Sequence, residues 1–259
     1  MKLEFYKYQG AGNDFVMIDN RASVFDTSNT KLINFLCNRR FGIGADGLIC
    51  LENAEGFDFK MMYFNADGNE STMCGNGGRC IVAFAKYLNI IKDKAHFAAI
   101  DGVHKATIIK DDVSLGMQDI SDILMTDTHL FLDSGSPHHV TFVSDVETVD
   151  VKKDGRKIRN GAPYFKEGSN INFVTQIDEN NFKVRTYERG VEDETLSCGT
   201  GVTAVAIAVH KSGKTKRNSV ILKTRGGNLE VSFNLKDGVY TDIFLKGLAV
   251  QVFKGKITT

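Results

Sequence analysis

Two similar motifs, each a single cysteine followed by Gly-x-Gly, constrain this sequence more than any other feature. The first begins at Cys74 and the second at Cys198, 124 residues later. A tyrosine precedes each cysteine by 11 residues, and an alanine-rich apolar pattern follows each one. The cysteines therefore occupy equivalent positions of an internal repeat, each just before a predicted helix that starts near residue 75 or 199. The first of these helices is predicted to run to about residue 90.

A cysteine at the start of a helix is in a chemically useful place. The first N–H groups of a helix carry partial positive charge and favour an anion. This predicts that the pKa of each thiol lies below its usual value of about 8.5. The glycines that follow bring backbone N–H groups within reach of a bound carboxylate or phosphate. The alternative is that each cysteine is a small buried hydrophobe, and the repetition favours the chemical role.

Further landmarks repeat at an offset of 124 or 125 residues. Gly10-Ala-Gly-Asn13 corresponds to Gly135-Ser-Pro-His138, and residues 42–49 correspond to 166–173. We therefore predict an α/β (α+β) fold with two pseudo-symmetric halves, each a mixed or antiparallel strand barrel around one central helix. The predicted halves are residues 1–122, with Cys74, and 123–247, with Cys198. The final strand, within 248–259, is predicted to return to the first half.

The repeat also suggests a kind of chemistry. Ligand sites favour the cleft between two halves of a protein, so we predict the active site there. Two thiols on opposite faces of one ligand suit stereoinversion at a carbon acid. One thiolate removes the proton, and the other thiol supplies a new one. The helix starts would hold the substrate carboxylate and stabilise the charge that develops on it.

A second glycine motif resembles a dinucleotide-binding sequence but has the wrong context. Gly42, Gly44 and Gly47 match G-x-G-x-x-G. That fingerprint requires a strand before it and a helix after it. Here a predicted helix, 30–40, precedes the glycines, and a predicted strand follows them. We therefore reject a Rossmann-type site.

Composition excludes several classes of function. Lys plus Arg and Asp plus Glu both number 32 in 259 residues, so no net charge attracts nucleic acid or anionic membrane. The sequence predicts no signal peptide and no membrane span. Five cysteines, an odd number without any C-x-x-C pair, predict a reducing cytoplasmic setting and no metal site.

The motifs resemble those of the diaminopimelate epimerase family along essentially the whole chain. The segment from Asn65 to Arg79 resembles the family signature, and the likeness extends to residues 10–15, 42–47, 170–173, 188–190 and 198–201. The resemblance implies an epimerase that interconverts LL- and meso-diaminopimelate in lysine and peptidoglycan synthesis. It also implies that no cofactor is used and that the protein is a homodimer.

The resemblance assigns a role to each matching residue of this sequence. Cys74 and Cys198 would be the catalytic acid and base, and His138 and Glu188 would adjust their pKa values. Arg189 would bind the distal carboxylate through its planar guanidinium. The residues implied in substrate binding are Asn13, Asn65, Gly75, Asn76, Asn170, Glu188, Arg189, Gly199 and Thr200.

Two departures from the family pattern and three alternatives accompany this interpretation. Ser136 replaces a substrate-binding asparagine. The loop before Cys198 is one residue longer and more acidic than usual, and we interpret it as solvated.

One alternative is a relative of proline racemase, which would lack the asparagine-rich set of side chains that binds the distal end of the substrate. Another is a thiol hydrolase that uses Cys74 with His138. A third is a non-catalytic protein that binds an amino acid.

Overall fold

The computed structural model describes residues 2–259. The chain forms two compact units: the chain up to Leu115 together with Gly247–Thr259, and Gly116–Lys246. Four α-helices are present: α1 (Thr30–Cys37), α2 (Gly75–Tyr87), α3 (Val151–Asn160) and α4 (Gly199–Lys211). A short 3₁₀ helix spans Val146–Thr148.

Seventeen strands account for most of the remaining regular structure in residues 2–259. In chain order, the first nine are β1 (Lys2–Gly10), β2 (Asn13–Asp19), β3 (Gly47–Glu52), β4 (Phe59–Asn65), β5 (Lys94–Ala99), β6 (Gly102–Ile109), β7 (Asp112–Gly116), β8 (Ile123–Met125) and β9 (Leu130–Asp133). The other eight are β10 (Pro137–Phe142), β11 (Asn170–Gln176), β12 (Asn181–Glu188), β13 (Asp193–Thr195), β14 (Ser219–Thr224), β15 (Gly227–Lys236), β16 (Val239–Leu248) and β17 (Val250–Thr258).

Strand pairing in the first unit begins with the C-terminal strand. β17 pairs antiparallel with β1, and β1 pairs antiparallel with β2. The order continues through β3, β4, β5, β6 and β7, with parallel pairs at β2–β3 and β4–β5 and antiparallel pairs elsewhere. Each parallel pair is joined by a crossover that contains a helix, α1 or α2, as parallel strands require.

The second unit repeats this plan. Its strands follow the order β8, β9, β10, β11, β12, β14, β15 and β16, with parallel pairs only at β10–β11 and β12–β14. α3 and α4 lie in the two crossovers, and β8 takes the place that β17 has in the first unit. β13 is an addition that pairs with β12. The predicted pseudo-symmetric α/β fold is therefore confirmed.

Each unit is organised around one helix. Six strands pack against α2 and six against α4. Every residue of α4 from Gly201 to Val209 is buried, as expected of a helix that is apolar on all sides. Burial of each Val or Ile side chain contributes about 1.5–3 kcal/mol. These helices form the core of each unit and fix the position of the cysteine before them.

Two predicted helices end earlier than the sequence pattern suggests. The first spans Thr30–Cys37 rather than 30–40, and its cap residue Asn38 has an extended backbone. The second ends at Tyr87 rather than residue 90, because Asn89 has a positive φ of 57° and interrupts the helix. Asparagine tolerates this left-handed conformation better than most residues do, so it can end a helix in the manner of glycine.

Candidate active site

Cys74 and Cys198 are the residues immediately before α2 and α4. The Cys74 carbonyl accepts a hydrogen bond from the Gly78 N–H at 2.7 Å, and the Cys198 carbonyl accepts one from Val202 at 2.9 Å. Both side chains therefore start from the positive end of a helix dipole. In each helix the next N–H groups have no carbonyl partner within the helix itself. The two helices begin at Gly75 and Gly199, as predicted.

Close packing explains two of the glycines beside the cysteines. A Cβ on Gly78 would lie 2.8 Å from a Leu115 methyl carbon. A Cβ on Gly201 would lie 2.8 Å from the Asn172 side-chain oxygen and 3.1 Å from Cys198 Cβ. A larger residue at Gly201 would therefore displace Asn172 or Cys198, whereas at Gly78 it would require the ends of the Leu115 and Met73 side chains to move.

Asn13 provides a hydrogen-bond acceptor to the Cys74 thiol. Its Oδ1 lies 3.5 Å from Cys74 Sγ and also accepts from Asn76 Nδ2 at 3.4 Å. Its Nδ2 donates to the Asp46 carboxylate at 2.6 Å. The carboxylate accepts hydrogen bonds only, so it fixes which end of the Asn13 amide faces the sulfur.

A network of charges holds Asp46 in place. Arg39 donates both to Asp46 and to Asp14, each at 2.7 Å, and the buried Lys7 lies 2.7 Å from Asp14. Burial alone would raise the pKa of Asp14, but hydrogen bonds from Arg39 and Lys7 outweigh it and hold that pKa well below its usual value. Asp14 therefore stays ionised and keeps these side chains in a fixed arrangement.

Arg79 is fully buried behind the start of α2. Its guanidinium donates to Asn76 Oδ1 at 2.8 Å and to the Gly75 carbonyl at 3.2 Å. Burial lowers the pKa of Arg79, while the nearby Cys80 and Cys74 thiols oppose that shift. Arg79 thus orients the Asn76 amide, so that Asn76 Nδ2 points to Asn13.

In the second unit, a hydroxyl lies between a histidine and the other cysteine. Thr200 Oγ1 is 2.9 Å from His138 Nε2 and 3.4 Å from Cys198 Sγ. Burial, together with a smaller contribution from the positive charge of Arg189, lowers the pKa of His138 to about 3. His138 is therefore neutral near pH 7, and its hydrogen bond to Thr200 connects it to the cysteine.

Asn172 fixes the tautomer of His138. Its Nδ2 donates to the His139 carbonyl at 3.0 Å and faces His138 Nδ1 at 3.1 Å, while its Oδ1 accepts from the Thr186 hydroxyl at 3.0 Å. Because Nδ1 accepts a hydrogen bond, the ring proton lies on Nε2. His138 therefore donates toward Thr200.

Ser136 joins the same group of side chains. Its hydroxyl oxygen accepts from Asn170 Nδ2 at 3.0 Å and lies 3.3 Å from Thr200 Oγ1. Asn170 Oδ1 in turn accepts from the Arg189 backbone N–H at 2.9 Å. The serine that departs from the family pattern is thus fully engaged, and it links Asn170 to Thr200.

The remaining predicted site residues lie at strand ends. Asn65, the last residue of β4, is exposed and accepts from the Tyr63 hydroxyl at 3.0 Å. Glu188 is the last residue of β12 and is half-buried. Arg189 follows it, exposed, with its guanidinium donating to the Glu167 carbonyl at 3.0 Å.

The acidic loop before Cys198 is more ordered than the predicted solvated loop. Arg185 donates to both carboxylate oxygens of Glu194 at 2.7 Å. Glu192 pairs with Arg159 at 3.0 Å, and Asp193 pairs with Lys152. Cations on α3 and β12 therefore neutralise these acids and anchor the loop.

The other three cysteines, Cys37, Cys50 and Cys80, are buried and free. Burial raises the pKa of Cys37 and of Cys80 to about 12, and it also raises the pKa of Cys50. These thiols stay protonated near pH 7, so they are neither nucleophiles nor bases.

A match to a family model identifies the family. The model described as diaminopimelate epimerase matches residues 5–120 and 130–249. The chain belongs to the diaminopimelate epimerase family. It is 58% identical to the diaminopimelate epimerase of Flavobacterium psychrophilum, over 98% of this chain and 100% of that protein. Members of this family are isomerases, so the predicted enzyme class is confirmed.

Solved structures that share the fold are much more distant in sequence. A PhzF-family phenazine biosynthesis protein from Bacillus anthracis has a TM-score of 0.77, with 12% identity and both chains fully covered. A probable proline racemase from Agrobacterium radiobacter K84 has a TM-score of 0.69 and 13% identity, with 99% and 93% of the two chains covered. These likenesses confirm the fold, and the family match distinguishes this chain from proline racemases.

The structure also bears on other predictions. His138 is a poor candidate for the base of a thiol hydrolase, because both ring nitrogens are engaged and its pKa is far below 7. Within residues 2–259, no helix is long and apolar enough to cross a bilayer. In the same range, no three His, Cys, Asp or Glu side chains form a group suited to a metal ion.

Several residues that shape these sites have no predicted role of their own from the sequence. Asp46 and Asn172 lie inside motifs that the sequence singled out, at 42–47 and 170–173, but only as part of the pattern. A signal was available for Asn172, which is polar within the strand pattern Ile-Asn-Phe-Val and fully buried. A buried amide requires partners, and this requirement marks such a residue for attention.

Proposed function

We propose that this protein interconverts LL-2,6-diaminopimelate and meso-diaminopimelate by proton transfer between substrate and two cysteines, Cys74 and Cys198. The observation that carries this proposal is the placement of one cysteine directly before the central helix of each repeated unit. Family membership supports the reaction and the substrate.

In the proposed reaction, one cysteine acts as a thiolate and the other as a thiol. The thiolate removes the α-proton from one face of the carbon, and the thiol delivers a proton to the opposite face. In the reverse direction the two exchange roles. Acid–base catalysis of this kind contributes about 10²–10⁴-fold to the rate.

The α-carboxylate carries the charge that develops when the proton leaves. Backbone N–H groups at Gly75 and Asn76, and at Gly199 and Thr200, are proposed to hold that carboxylate. Helix N-termini are suited to this because their dipoles are already oriented before the reaction starts. The bases and the charge stabilisation come from the protein itself, so we propose that no cofactor takes part.

The rest of the substrate would be bound by side chains near the two helix starts. Asn13, Asn65 and Asn170 supply amide donors and acceptors, and Glu188 is proposed to bind an ammonium group. Arg189 is proposed to bind the distal carboxylate at two points. His138 would influence Cys198 as a neutral donor through Thr200, because burial keeps it uncharged.

We also propose a homodimer in a reducing, cytoplasmic setting, with a role in lysine and peptidoglycan precursor synthesis. Support for self-association comes from β17, where Val252 is 56% exposed and Phe253 is 47% exposed. Apolar side chains exposed together on one strand favour contact with another protein surface. Analytical ultracentrifugation of the wild type and of Phe253→Glu tests this: a monomeric wild type contradicts it.

Exchange with solvent deuterium tests the reaction. Purified protein is incubated with meso-diaminopimelate in D₂O, and the substrate is analysed by mass spectrometry and chiral separation. We expect deuterium at the α-carbon together with appearance of the LL isomer. A protein that binds diaminopimelate without exchange would be a binding protein, and this proposal would then be wrong.

The same experiment tests the cofactor proposal. Dialysis against a chelator, and treatment with a reagent that captures pyridoxal phosphate, are expected to leave the exchange rate unchanged. Loss of exchange after dialysis, restored by a metal ion, would contradict the proposal.

A further inference from the structure

The two cysteines have hydrogen-bonding environments of opposite polarity. One described side-chain partner of Cys74 is an amide oxygen, Asn13 Oδ1, which only accepts. A described partner of Cys198 is a hydroxyl, Thr200 Oγ1, which is able to donate. A two-cysteine epimerase needs one thiol and one thiolate at the same time, so this difference bears on where the shared proton resides.

The direction of the Thr200 hydrogen bond follows from counting donors. The described contacts of Thr200 Oγ1 with other side chains are His138 Nε2, Ser136 Oγ and Cys198 Sγ. His138 donates from Nε2, because Asn172 occupies Nδ1, and this one N–H faces both Thr200 Oγ1 at 2.9 Å and Ser136 Oγ at 3.1 Å. The Thr200 hydrogen is thus not directed to His138.

Ser136 also donates to Thr200. Its oxygen already accepts from Asn170 Nδ2, whose orientation is set by the Arg189 N–H and the Pro137 carbonyl. His138 Nε2, 3.1 Å from Ser136 Oγ, carries the ring proton and cannot accept, so the acceptor left for the Ser136 hydrogen in this group is Thr200 Oγ1 at 3.3 Å. With two incoming donors, Thr200 directs its own hydrogen to Cys198 Sγ, and this bond stabilises a thiolate.

The opposite holds at Cys74. Asp46 binds Asn13 Nδ2 and Arg79 orients Asn76, so that Asn13 Oδ1 is fixed toward the sulfur. An amide oxygen facing Sγ accepts the S–H of a thiol and repels a thiolate. The Asn13 contact therefore stabilises the protonated form of Cys74.

We propose that Asp46 and Asn172 are positioning residues that set these opposite polarities, Asp46 through Asn13 at Cys74 and Asn172 through His138 and Thr200 at Cys198. This inference rests on the proposed two-cysteine reaction, because only that reaction requires one thiol and one thiolate. The hydrogen bonds around Cys74 favour a thiol and those around Cys198 favour a thiolate before substrate binds.

Other charged or titratable groups also face these thiols. Arg79 and Cys80 lie near Cys74, and neutral His138, with Arg189 beside it, lies near Cys198. The Arg79 charge favours a thiolate at Cys74 whether or not the Asp46 carboxylate is present. The change in thiol reactivity that a substitution causes is therefore a more direct measure of these hydrogen bonds than the reactivity of either thiol in the wild type.

Alkylation of the substrate-free protein measures both thiols at once. The protein is treated briefly with iodoacetamide between about pH 5 and 9, and labelling of the Cys74 and Cys198 peptides is followed by mass spectrometry. In Asp46→Asn, the new amide still accepts from Arg39 and turns its NH₂ toward Asn13. The Asn13 amide then rotates, and we expect Cys74 labelling at pH 7 to rise roughly tenfold.

Asn172→Leu should act in the opposite direction on the other cysteine. Leucine has the same number and branching of side-chain heavy atoms as asparagine but does not hold the His138 tautomer. We expect Cys198 labelling at pH 7 to fall roughly tenfold, with Cys74 unchanged. Thr186→Val, which removes the hydroxyl that orients Asn172, should give a smaller change of the same sign and is available if Asn172→Leu folds poorly.

Double-mutant cycles separate positioning from simple loss of charge or structure. The effect of Asp46→Asn should disappear in an Asn13→Ala background, and that of Asn172→Leu in a Thr200→Val background. Asp19→Asn in β2 and Asn181→Leu in β12 are matched controls, one in each unit, and should change neither thiol.

Opposite shifts on different cysteines, abolished in the two backgrounds, support the proposal. The proposal would be overturned if labelling of the two cysteines changed in the same direction, changed equally or did not change. It would also be overturned if the effects persisted in the Asn13→Ala and Thr200→Val backgrounds. The labelling uses no substrate, so its outcome is independent of whether diaminopimelate exchanges deuterium. Failure here is thereby distinguished from failure of the proposed function.

Discussion

His138 donates from Nε2 to the hydroxyl oxygen of Thr200, at 2.9 Å, although the two residues are 62 positions apart in the chain. The hydroxyl lies in turn 3.4 Å from Cys198 Sγ. A neutral histidine is thus linked to the cysteine by hydrogen bonds through one intervening hydroxyl oxygen.

Removal of that oxygen should impair turnover. Thr200→Val keeps the shape of the side chain but removes the donor to Cys198, and we expect kcat to fall by roughly tenfold to a hundredfold. Thr175→Val, which removes a hydroxyl bonded to the backbone at Val143 and Val146, is the control and should retain kcat. Equal losses in both variants would show that the Thr200 effect is structural.

Each active-site cysteine should be indispensable. Cys74→Ser and Cys198→Ser are each expected to lower the epimerisation rate by at least about a hundredfold, because a hydroxyl is too weak an acid to ionise near pH 7. Cys37→Ala is the control: this buried thiol has a pKa of about 12 and takes no part in catalysis. Epimerisation by either serine variant at a rate near that of the wild type contradicts the two-base proposal.

The stability of the protein should fall as the pH drops from about 6.5 to 4. Burial lowers the pKa of His138 to about 3 and that of His139 to about 4, whereas an unfolded histidine has a pKa of about 6.5. In this range the unfolded chain binds protons that the folded protein excludes. Each histidine therefore costs roughly 1.4 kcal/mol of stability per pH unit.

Urea unfolding at several pH values measures this dependence. His139→Gln should show a smaller loss of stability between pH 6.5 and 4.5 than the wild type, because one titrating group has been removed. Above pH 7 the two curves should run parallel. An unchanged slope below pH 6.5 would show that His139 is not the source of the effect.

Binding of the distal end of the substrate should depend on the planar shape of an arginine side chain. Arg189→Lys keeps the charge but loses the planar fork that binds a carboxylate at two points, so kcat/KM should fall by roughly tenfold or more. The control is Arg21→Lys, which alters a surface ion pair with Asp19. Undiminished kcat/KM in Arg189→Lys, or equal activity on an analogue without the distal carboxylate, argues against this assignment.

The stability of the protein should depend on a partly buried ion pair in the loop before Cys198. Arg185 is 9% exposed and binds Glu194 at two points, so Glu194→Gln leaves a guanidinium without its counter-charge. We expect a loss of roughly 2 kcal/mol in the free energy of unfolding, between the values for surface and buried pairs. Denaturant titration measures it, and Glu179→Gln, at the exposed Arg217 pair, should cost much less.

Local patterns determine the repeat, the two central helices and the cysteines before them. Alanine-rich apolar runs form helices that are buried on all sides, and the motif before each run places a cysteine at the helix start. These features lie within about 25 consecutive residues, so spacing and polarity suffice to predict them. The helix ends near Asn38 and Asn89 do not follow from these patterns, because each depends on the backbone conformation of a single residue.

Tertiary structure alone decides which side chains meet the cysteines. Asn13 reaches Cys74 across 61 positions, and Asn172 reaches His138 across 34. The second contact depends on the parallel register of β10 and β11, where His138 lies opposite Asn170. A shift of one residue would turn Asn172 to the other face of the sheet. That register is set by burial of whole strands against α4, a property of the folded unit that no short stretch of sequence contains.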